Sequence, residues 1–483
     1  MVTEAEHAAP GADELGRVHF VGIGGAGMSG IARIMLARGI PVSGCDARDS
    51  RALVALRARG AEIQVGHDAA HVAGADTLVV SSAIRADNPE LVAAEAQGRR
   101  LLPRAAALAS VMTGRRGIAV AGTHGKTTTT SMLTVALQAC GRDPSYAIGG
   151  DLNEPGSNAH AGTGEFFVAE ADESDRSFLL LAPEAAVITN VEADHLDNYG
   201  DAAAVDEAFR QFLERIGSGG CVALGADDEG SLGLASAAAD LGLRVTTFGL
   251  AAEAEVRVDE LVLDAGGSRF ELVAGGRRLG PVVLQVPGSY NAVNAAGALA
   301  IGLQLGLPVT DMVRGLADFT GARRRFEAKG VAGGVRVYDD YAHHPTELTA
   351  LLTAARQAAG EGGRLITVFQ PHLYSRTAQF ARQFGEALGL SDLAVVMEVY
   401  AAREDPVPGV TGALIADAVP LPSGQVVFEP SWSAVAAVVA ELTRAGDLVL
   451  TVGAGDVTML GPEILAAVAE RAAAQPVDAR ADG

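Results

Sequence analysis

Nine residues, Gly122 to Thr130, read Gly-Thr-His-Gly-Lys-Thr-Thr-Thr-Thr and set small, cationic and hydroxyl side chains side by side. An apolar run, 117–121, precedes them and a helix-like run, 131–139, follows. A strand, a tight glycine loop and a helix make a phosphate site, because loop N–H groups and the positive helix end face phosphate oxygens. Lys126 then supplies a cation for the β- and γ-phosphates, and Thr127 a hydroxyl for Mg²⁺. The usual spacing G-x-x-x-x-G-K-[ST] needs glycine at 120; the chain has Val120, so this loop is two residues shorter. The stretch predicts a nucleoside triphosphate site built from Gly122, Thr123, His124, Gly125, Lys126, Thr127 and Thr128.

Other residues could take part in the same or a neighbouring reaction. Gly22, Gly24 and Gly27 match G-x-G-x-x-G, and Asp46 follows at about the spacing of an acidic ribose contact. Alone this reads as an NAD-dependent oxidoreductase, but any pyrophosphate on a helix N-terminus, including that of a sugar nucleotide, favours the same glycines. Glu170 to Ser174 and Asn190 to Asp197 each end an apolar run. With Thr127, Glu170 and His195 would set oxygen and nitrogen ligands near a triphosphate, although Mg²⁺ prefers oxygen. Asn291 and Asn294 stand before an Ala-rich helix, where an amide reads an adenine edge or caps the helix. Asp339 to Pro345 and Gln370 to Arg376 gather His343, His344, His372 and Arg376 at two strand ends. Arg323, Arg324 and Arg325 touch phosphate or are solvated.

The elements that must carry these residues alternate between β and α. Strand candidates at 17–23, 62–65 and 77–81 predict a parallel sheet in the first segment. Strands at 166–169 and 185–189 follow the phosphate loop, and ligands in open α/β sheets lie beyond such carboxyl ends. Residues 255–286 alternate polar and apolar and are split by glycine pairs, as in an antiparallel meander. The third segment, with strands at 335–338, 365–369, 393–398, 426–428 and 448–452, is doubly wound again. Its helix 346–359 has Pro345 at the favoured first position. Boundary candidates lie at 98–104, 113–117 and near Gly321.

Composition narrows the class. The chain's 483 residues exceed one ordinary core. Lys plus Arg is 37 against 59 Asp plus Glu, a net charge of −22, which opposes a nucleic acid or an anionic membrane as partner. Local positive charge still serves an anionic small substrate. Cys45, Cys140 and Cys221 are far apart and read as small buried hydrophobes in a reducing compartment. No apolar run reaches about 18 residues, and residues 1–14 lack the pattern of a secretory signal. A cytoplasmic protein is expected, with frayed tails at 1–14 and 474–483.

Taken in order, these motifs resemble the Mur ligase family over essentially the whole chain. The short loop G-T-x-G-K-T is the family's form, and Gly22 to Gly30 is similar to the alanine-adding branch. The resemblance implies three α/β domains. These are an N-terminal Rossmann-like domain for a UDP-sugar (15–113), a central P-loop ATPase domain with a small antiparallel addition (114–320), and a C-terminal Rossmann-like domain for the amino acid (321–475). It implies an ATP- and Mg²⁺-dependent ligase that joins L-alanine to the carboxylate of UDP-N-acetylmuramate through an acyl phosphate, in peptidoglycan precursor synthesis. The alternative inside the family is a recycling ligase that attaches a peptide; outside it, an NAD-dependent oxidoreductase with an accessory ATPase.

The resemblance also assigns residues. Gly22, Gly24, Gly25, Gly27, Met28, Ser29, Asp46, Ser81 and Ser82 would face the UDP-sugar, and Asn291, Asn294 and Asp340 would join the loop around ATP. Thr127, Glu170 and His195 would hold Mg²⁺, and Lys126 would act on the phosphoryl group. His343 or His344 would be a general base, with Tyr341, His372 and Arg376 around the amino acid. Later-acting members use a carbamylated lysine after the histidine motif; 198–216 contains none here, as in the alanine-adding branch.

Overall fold

Val18–Val21 (β1) is buried along its whole length, the signature of a parallel strand covered on both faces. Around it lie Val42–Asp46 (β2), Glu62–Val65 (β3), Thr77–Val80 (β4) and Arg100–Pro103 (β5). All pair in parallel, in the order β3-β2-β1-β4-β5. The chain direction of winding reverses between β1 and β4, so the crevice beyond their carboxyl ends is the binding position of such a sheet. The glycine loop leaves β1 there and the helix Ala26–Ala37 follows it. This computed structural model describes residues 9–81, 83–150, 158–264, 266–402 and 404–474. Ser82, the outer parts of both expected tails and the side chain of Asp197 lie outside the described set.

The second sheet comprises Arg116–Ala121 (β6), Ser145–Ala147 (β7), Ala159–His160 (β8), Phe166–Glu170 (β9), Ala185–Ile188 (β10), Cys221–Gly225 (β11) and Arg244–Gly249 (β12). It continues into Val256–Asp264 (β13), Gly267–Ala274 (β14) and Arg277–Leu284 (β15). The order is β15-β14-β13-β12-β11-β10-β6-β9-β7-β8. The parallel trio β10-β6-β9 lies at its heart. Two-residue links join β13 to β14 and β14 to β15, and links so short connect only antiparallel neighbours. Gly275 and Gly276, at φ 54° and 74°, fit a type I′ turn in the second link. The expected meander is thus an extension of the central sheet.

The third sheet is Glu327–Ala332 (β16), Val335–Asp340 (β17), Leu365–Phe369 (β18), Leu393–Val396 (β19), Val426–Phe428 (β20) and Leu448–Val452 (β21). Its order is β16-β17-β21-β18-β19-β20, parallel except for the β16–β17 pair. Period-two alternation sends Leu365 and Phe369 to one core layer and Ile366 and Val368 to the other.

The chain divides into two compact units. One is Met1–Leu261 with Arg269–Leu284 and Asn291–Ala322; the other is Val262–Ser268 with Gln285–Tyr290 and Arg323–Gly483. The first two sheets share one apolar core, in which Leu108 and Val111 join Phe178, Phe209 and Phe212. Phe178 stacks on Phe212 with centroids 4.9 Å apart. The stretch 98–104 proves to be β5 and the start of a helix, Arg104–Met112, so the first sheet gives way to the second at 113–115. The tail expectation also needs correction: Ala12–Glu14 form a 3-10 turn, anchored by the fully buried Leu15, whose carbonyl accepts the Thr77 hydroxyl at 2.8 Å. Among the described residues no helix is long and apolar enough to cross a membrane.

Candidate active site

The phosphate loop leaves the carboxyl end of β6, between β9 and β10, and turns into the helix Lys126–Ala139. Four successive threonines are poor helix formers. Here Thr128, Thr129 and Thr130 are buried, and tertiary packing overrides propensity. The hydroxyls of Thr130, Ser131 and Thr134 donate to carbonyls one turn back, at 2.7–2.8 Å, so no neighbour need satisfy them. Gly122 and Gly125 have φ of 129° and 80°, and a Cβ on Gly125 would stand 2.6 Å from Asn294 Oδ1. Glycine is therefore required at 125 for its conformation and for the approach of Asn294.

Lys126 folds back onto its own loop. Its Nζ donates to the Gly122 and Thr123 carbonyls at 2.6 and 2.9 Å and lies 2.8–2.9 Å from the Glu173 carboxylate. Burial works against its charge, but Glu173, Asp172 and Glu170 outweigh burial and raise its pKa. Burial dominates at Glu173, pushing its carboxyl up to about 7 despite Lys126. Thr127 Oγ1 donates to Glu170 Oε1 at 3.0 Å, while the Gly149 N–H donates to Oε2 at 2.6 Å. Asn190 accepts the His124 N–H at 2.8 Å, and Thr123 Oγ1 accepts the Glu192 N–H at 2.9 Å. The ends of β6, β9 and β10 are thereby tied together. His195, at φ 55°, puts Nε2 3.6 Å from both Glu173 and Asp194.

These residues fit a magnesium–nucleotide. The first-turn amides of Lys126, Thr127 and Thr128 have no carbonyl one turn back and face outward from the helix start. Thr127 and Glu170 form the hard-oxygen pair that Mg²⁺ prefers. Glu173, which sequence reading passed over in favour of Glu170, is the buried acid against Lys126. Its signal was the second Glu of the 170–174 run, but its partner lies far away in sequence.

In the first sheet the Gly24 N–H donates to Asp46 Oδ2 at 2.9 Å, and a Cβ on Gly24 would fall 2.7 Å from Leu53 and 2.8 Å from Asp46. Asp46 thus braces the glycine loop. The Cys45 carbonyl accepts the N–H groups of Gly22 and Ile23, both at 2.9 Å. Gly25 caps the following helix, Met28 and Ser29 are buried in its first turns, and Ser81 follows β4 across the crevice. Asn158 joins this helix to the second sheet: its Nδ2 donates to the Ala26 carbonyl at 2.8 Å and its Oδ1 accepts from Arg33. Arg104 and Asp172 make a second link at 3.0 Å.

The second unit builds its own cluster beyond β17, β18 and β21. Asp340 is buried and accepts the Phe326 and Ala342 N–H groups at 2.7 and 2.8 Å. Burial pushes its carboxyl up to about 6. Arg324 and Arg325 lie over the Tyr341 ring at 4.8 and 5.4 Å. Tyr341, His343, His372 and Tyr400 form a chain of ring contacts with centroids 5.2–5.9 Å apart. His343 Nδ1 is 3.1 Å from the Tyr341 carbonyl and 3.3 Å from Glu347, both acceptors, so Nδ1 is the nitrogen that carries a hydrogen here. His344 instead starts the helix Pro345–Ala359, with Glu347 accepting its N–H, and its ring packs on Phe380. Arg376 is buried in the first turn of Tyr374–Leu388. Asn291 and Asn294 are both buried in the helix Ser289–Gln304, and it is Asn294 that meets the phosphate loop.

Three family models match successive parts of the chain. Residues 17–116 match the Mur ligase family catalytic domain, 120–302 the Mur ligase middle domain and 324–455 the Mur ligase glutamate ligase domain. The chain is 59% identical over 460 residues to a UDP-N-acetylmuramate–L-alanine ligase of Acidothermus cellulolyticus, covering 95% of this chain and 96% of the relative. The crystal structure of a UDP-N-acetylmuramate–alanine ligase from Thermotoga maritima superposes with a TM-score of 0.77 at 28% identity, over 93% of this chain and 98% of that one. A murein peptide ligase from Psychrobacter arcticus shares the fold with a TM-score of 0.68 at 24% identity, over 94% and 98% of the two chains.

Proposed function

The chain belongs to the Mur ligase family, and from that premise we propose that it joins L-alanine to the carboxylate of UDP-N-acetylmuramate at the expense of ATP, in the cytoplasm, for peptidoglycan precursor synthesis. The observation that carries this reading is the convergence of Lys126, Thr127 and Glu170 at the ends of two neighbouring strands, in a chain 59% identical to an alanine-adding ligase. The working division is 15–113 for the sugar nucleotide, 114–320 for ATP and 321–475 for the amino acid.

A carboxylate is a poor acyl donor because oxide is a poor leaving group. Phosphoryl transfer from ATP to the muramoyl carboxylate gives an acyl phosphate, and the alanine amine displaces phosphate from it to leave an amide. The loop amides and Lys126 bind and orient the triphosphate, and Lys126 offsets charge on the transferring group. Thr127 and Glu170 would hold Mg²⁺, with His195 on the same rim; bound there, the ion supplies Lewis-acid charge compensation. Gly22, Gly24, Gly25, Gly27 and Ser81 would face the sugar nucleotide, with Met28 and Ser29 buried behind the loop. The attacking amine must be neutral, whereas a free α-amino group has a pKa near roughly 8. His343, with Nε2 as its basic nitrogen, takes that proton. Arg376 pairs with the alanine carboxylate, and Tyr341 and His372 bound the small side chain.

The test is phosphate release from ATP with each substrate omitted in turn. Release that requires both UDP-N-acetylmuramate and L-alanine, with one amide formed per phosphate, is the expected result. Release that ignores alanine and responds to a tripeptide would replace it with the peptide-recycling reaction. Arg376→Ala should raise the alanine KM at least tenfold with the ATP KM unchanged; an unaltered alanine KM removes Arg376 from that role.

A further inference from the structure

A second group of chemically capable residues sits on the first sheet, and the reaction above does not use it. His19 on β1, Cys45 on β2 and Glu90 at the start of the helix Pro89–Ala96 are all buried. Their donor atoms lie within 4.8 Å of one another. Cys45 Sγ is 2.6 Å from Glu90 Oε2 and 3.2 Å from His67 Nδ1, which is itself 3.5 Å from Glu90 Oε2. His19 Nε2 is 3.7 Å from the same oxygen and has no hydrogen-bond partner, although its Nδ1 is fixed by Ser43 at 2.9 Å. His71 Nδ1 holds the other Glu90 oxygen at 2.7 Å, helped by the Asp68 N–H at 3.2 Å.

We propose that His19, Cys45 and Glu90 form a zinc site, and that His67, which lies against Cys45 and Glu90 but outside that three-residue group, closes onto the ion as fourth ligand. One sulfur, two imidazole nitrogens and one carboxylate oxygen are a donor set that suits Zn²⁺ and not Mg²⁺. Zn–S near 2.3 Å and Zn–N or Zn–O near 2.0–2.1 Å put tetrahedral ligands about 3.3–3.6 Å apart. The separations of 3.2, 3.5 and 3.7 Å fall around that spacing, while His67 stands farther from His19 and moves toward it on ligation. Cys45 Sγ and Glu90 Oε2, 2.6 Å apart, must separate on ligation, which also releases the thiol proton to solvent. His19 Nε2 is buried, makes no hydrogen bond and faces Glu90 Oε2 at 3.7 Å. His67 and His71 are partly exposed, with side chains 22% and 19% accessible, and give the ion its way in. Glu90, oriented by His71 and Asp68, has the outer hydrogen bonding that metal-bound carboxylates receive. Zinc there cross-links β1, β2, the 66–72 loop and a helix, next to the carbonyl that holds the glycine loop.

The full-length protein, stripped with chelator and titrated with Co²⁺, is the test. One equivalent should give tetrahedral ligand-field bands and a thiolate-to-cobalt charge-transfer band, both bleached by Zn²⁺. Cys45→Ser should abolish the charge-transfer band, and His71→Ala should weaken metal binding about 10- to 100-fold. Should Cys45→Ser fail to fold, His67→Ala, at a partly exposed ring, carries the test through loss of the tetrahedral bands. Absence of the charge-transfer band in the unsubstituted protein, its survival in Cys45→Ser, or unaltered bands in His67→Ala overturns the proposal.

Discussion

Lys126 meets four oxygens before any nucleotide arrives: two loop carbonyls and both oxygens of Glu173. On the proposed reading its ammonium is the cation that meets the transferring phosphoryl group, so Lys126→Ala should lower ATP turnover by about 10²- to 10³-fold with an unchanged circular dichroism spectrum. Near-normal turnover in that variant would remove Lys126 from the chemistry. Asp340 makes a different statement. Burial lifts its carboxyl from the usual 3.8 to about 6, so the folded protein binds a proton more tightly than the unfolded chain does. The stability it contributes is fully present below about pH 4 and falls as pH rises to 6, by about 3 kcal/mol at most. Asp340→Asn should flatten that slope in urea melts at stepped pH; an identical slope in the variant would assign it to another group. Asn also loses one of two backbone N–H bonds, a cost of about 1–3 kcal/mol at low pH. Lys126 and Thr127 were legible because loop chemistry is contiguous. Glu173 was not, since its role rests on a contact across 47 residues. Cys45 read as a small hydrophobe; only folding brings it to His19, His67 and Glu90.

At the scale of elements, Gly125 ties conformation to binding. Gly125→Ala must hold alanine at φ 80°, costing about 1–2 kcal/mol, and force Asn294 away from the loop. The ATP KM should rise severalfold while binding of the sugar nucleotide, measured calorimetrically, stays unchanged; an unchanged ATP KM would mean that the helix start tolerates a side chain. Strands with dense apolar runs were readable: 365–369, 426–428 and 448–452 match their positions in the structure, as does the alternating Glu62–Val65. Val42–Asp46 was hidden because Ser, Gly, Cys and Asp supply four of its five residues, and its β1 and β3 neighbours hold it extended. Arg244–Gly249, with two threonines and a partly buried pattern, escaped for the same reason. The helix start at Lys126 came earlier than the apolar pattern implied: the threonines of 127–130 are packed in the interior, and Thr130 bonds back to the Lys126 carbonyl.

At the scale of the molecule, the chain divides into two compact units with their own apolar clusters, and the proposed reading places half of the chemistry in each. The phosphate loop belongs to the first and the His343–Arg376 cluster to the second. Calorimetry should resolve two transitions, and magnesium with ADP should raise the first unit's, by mass action at about 2.7 kcal/mol for ligand at a hundred times Kd. One transition shifting as a whole would mean that the cores melt together. The folded-back lysine also decides which anions the resting enzyme ignores. Inorganic phosphate and sulfate abound in a cell, and an open loop with a bare cation would collect them. Here a small anion must displace three hydrogen-bonding groups to gain one charge, whereas a triphosphate recovers the loss across several amides at once. On the proposed reading the latch would act as a filter, disfavouring small anions such as the phosphate product over a triphosphate.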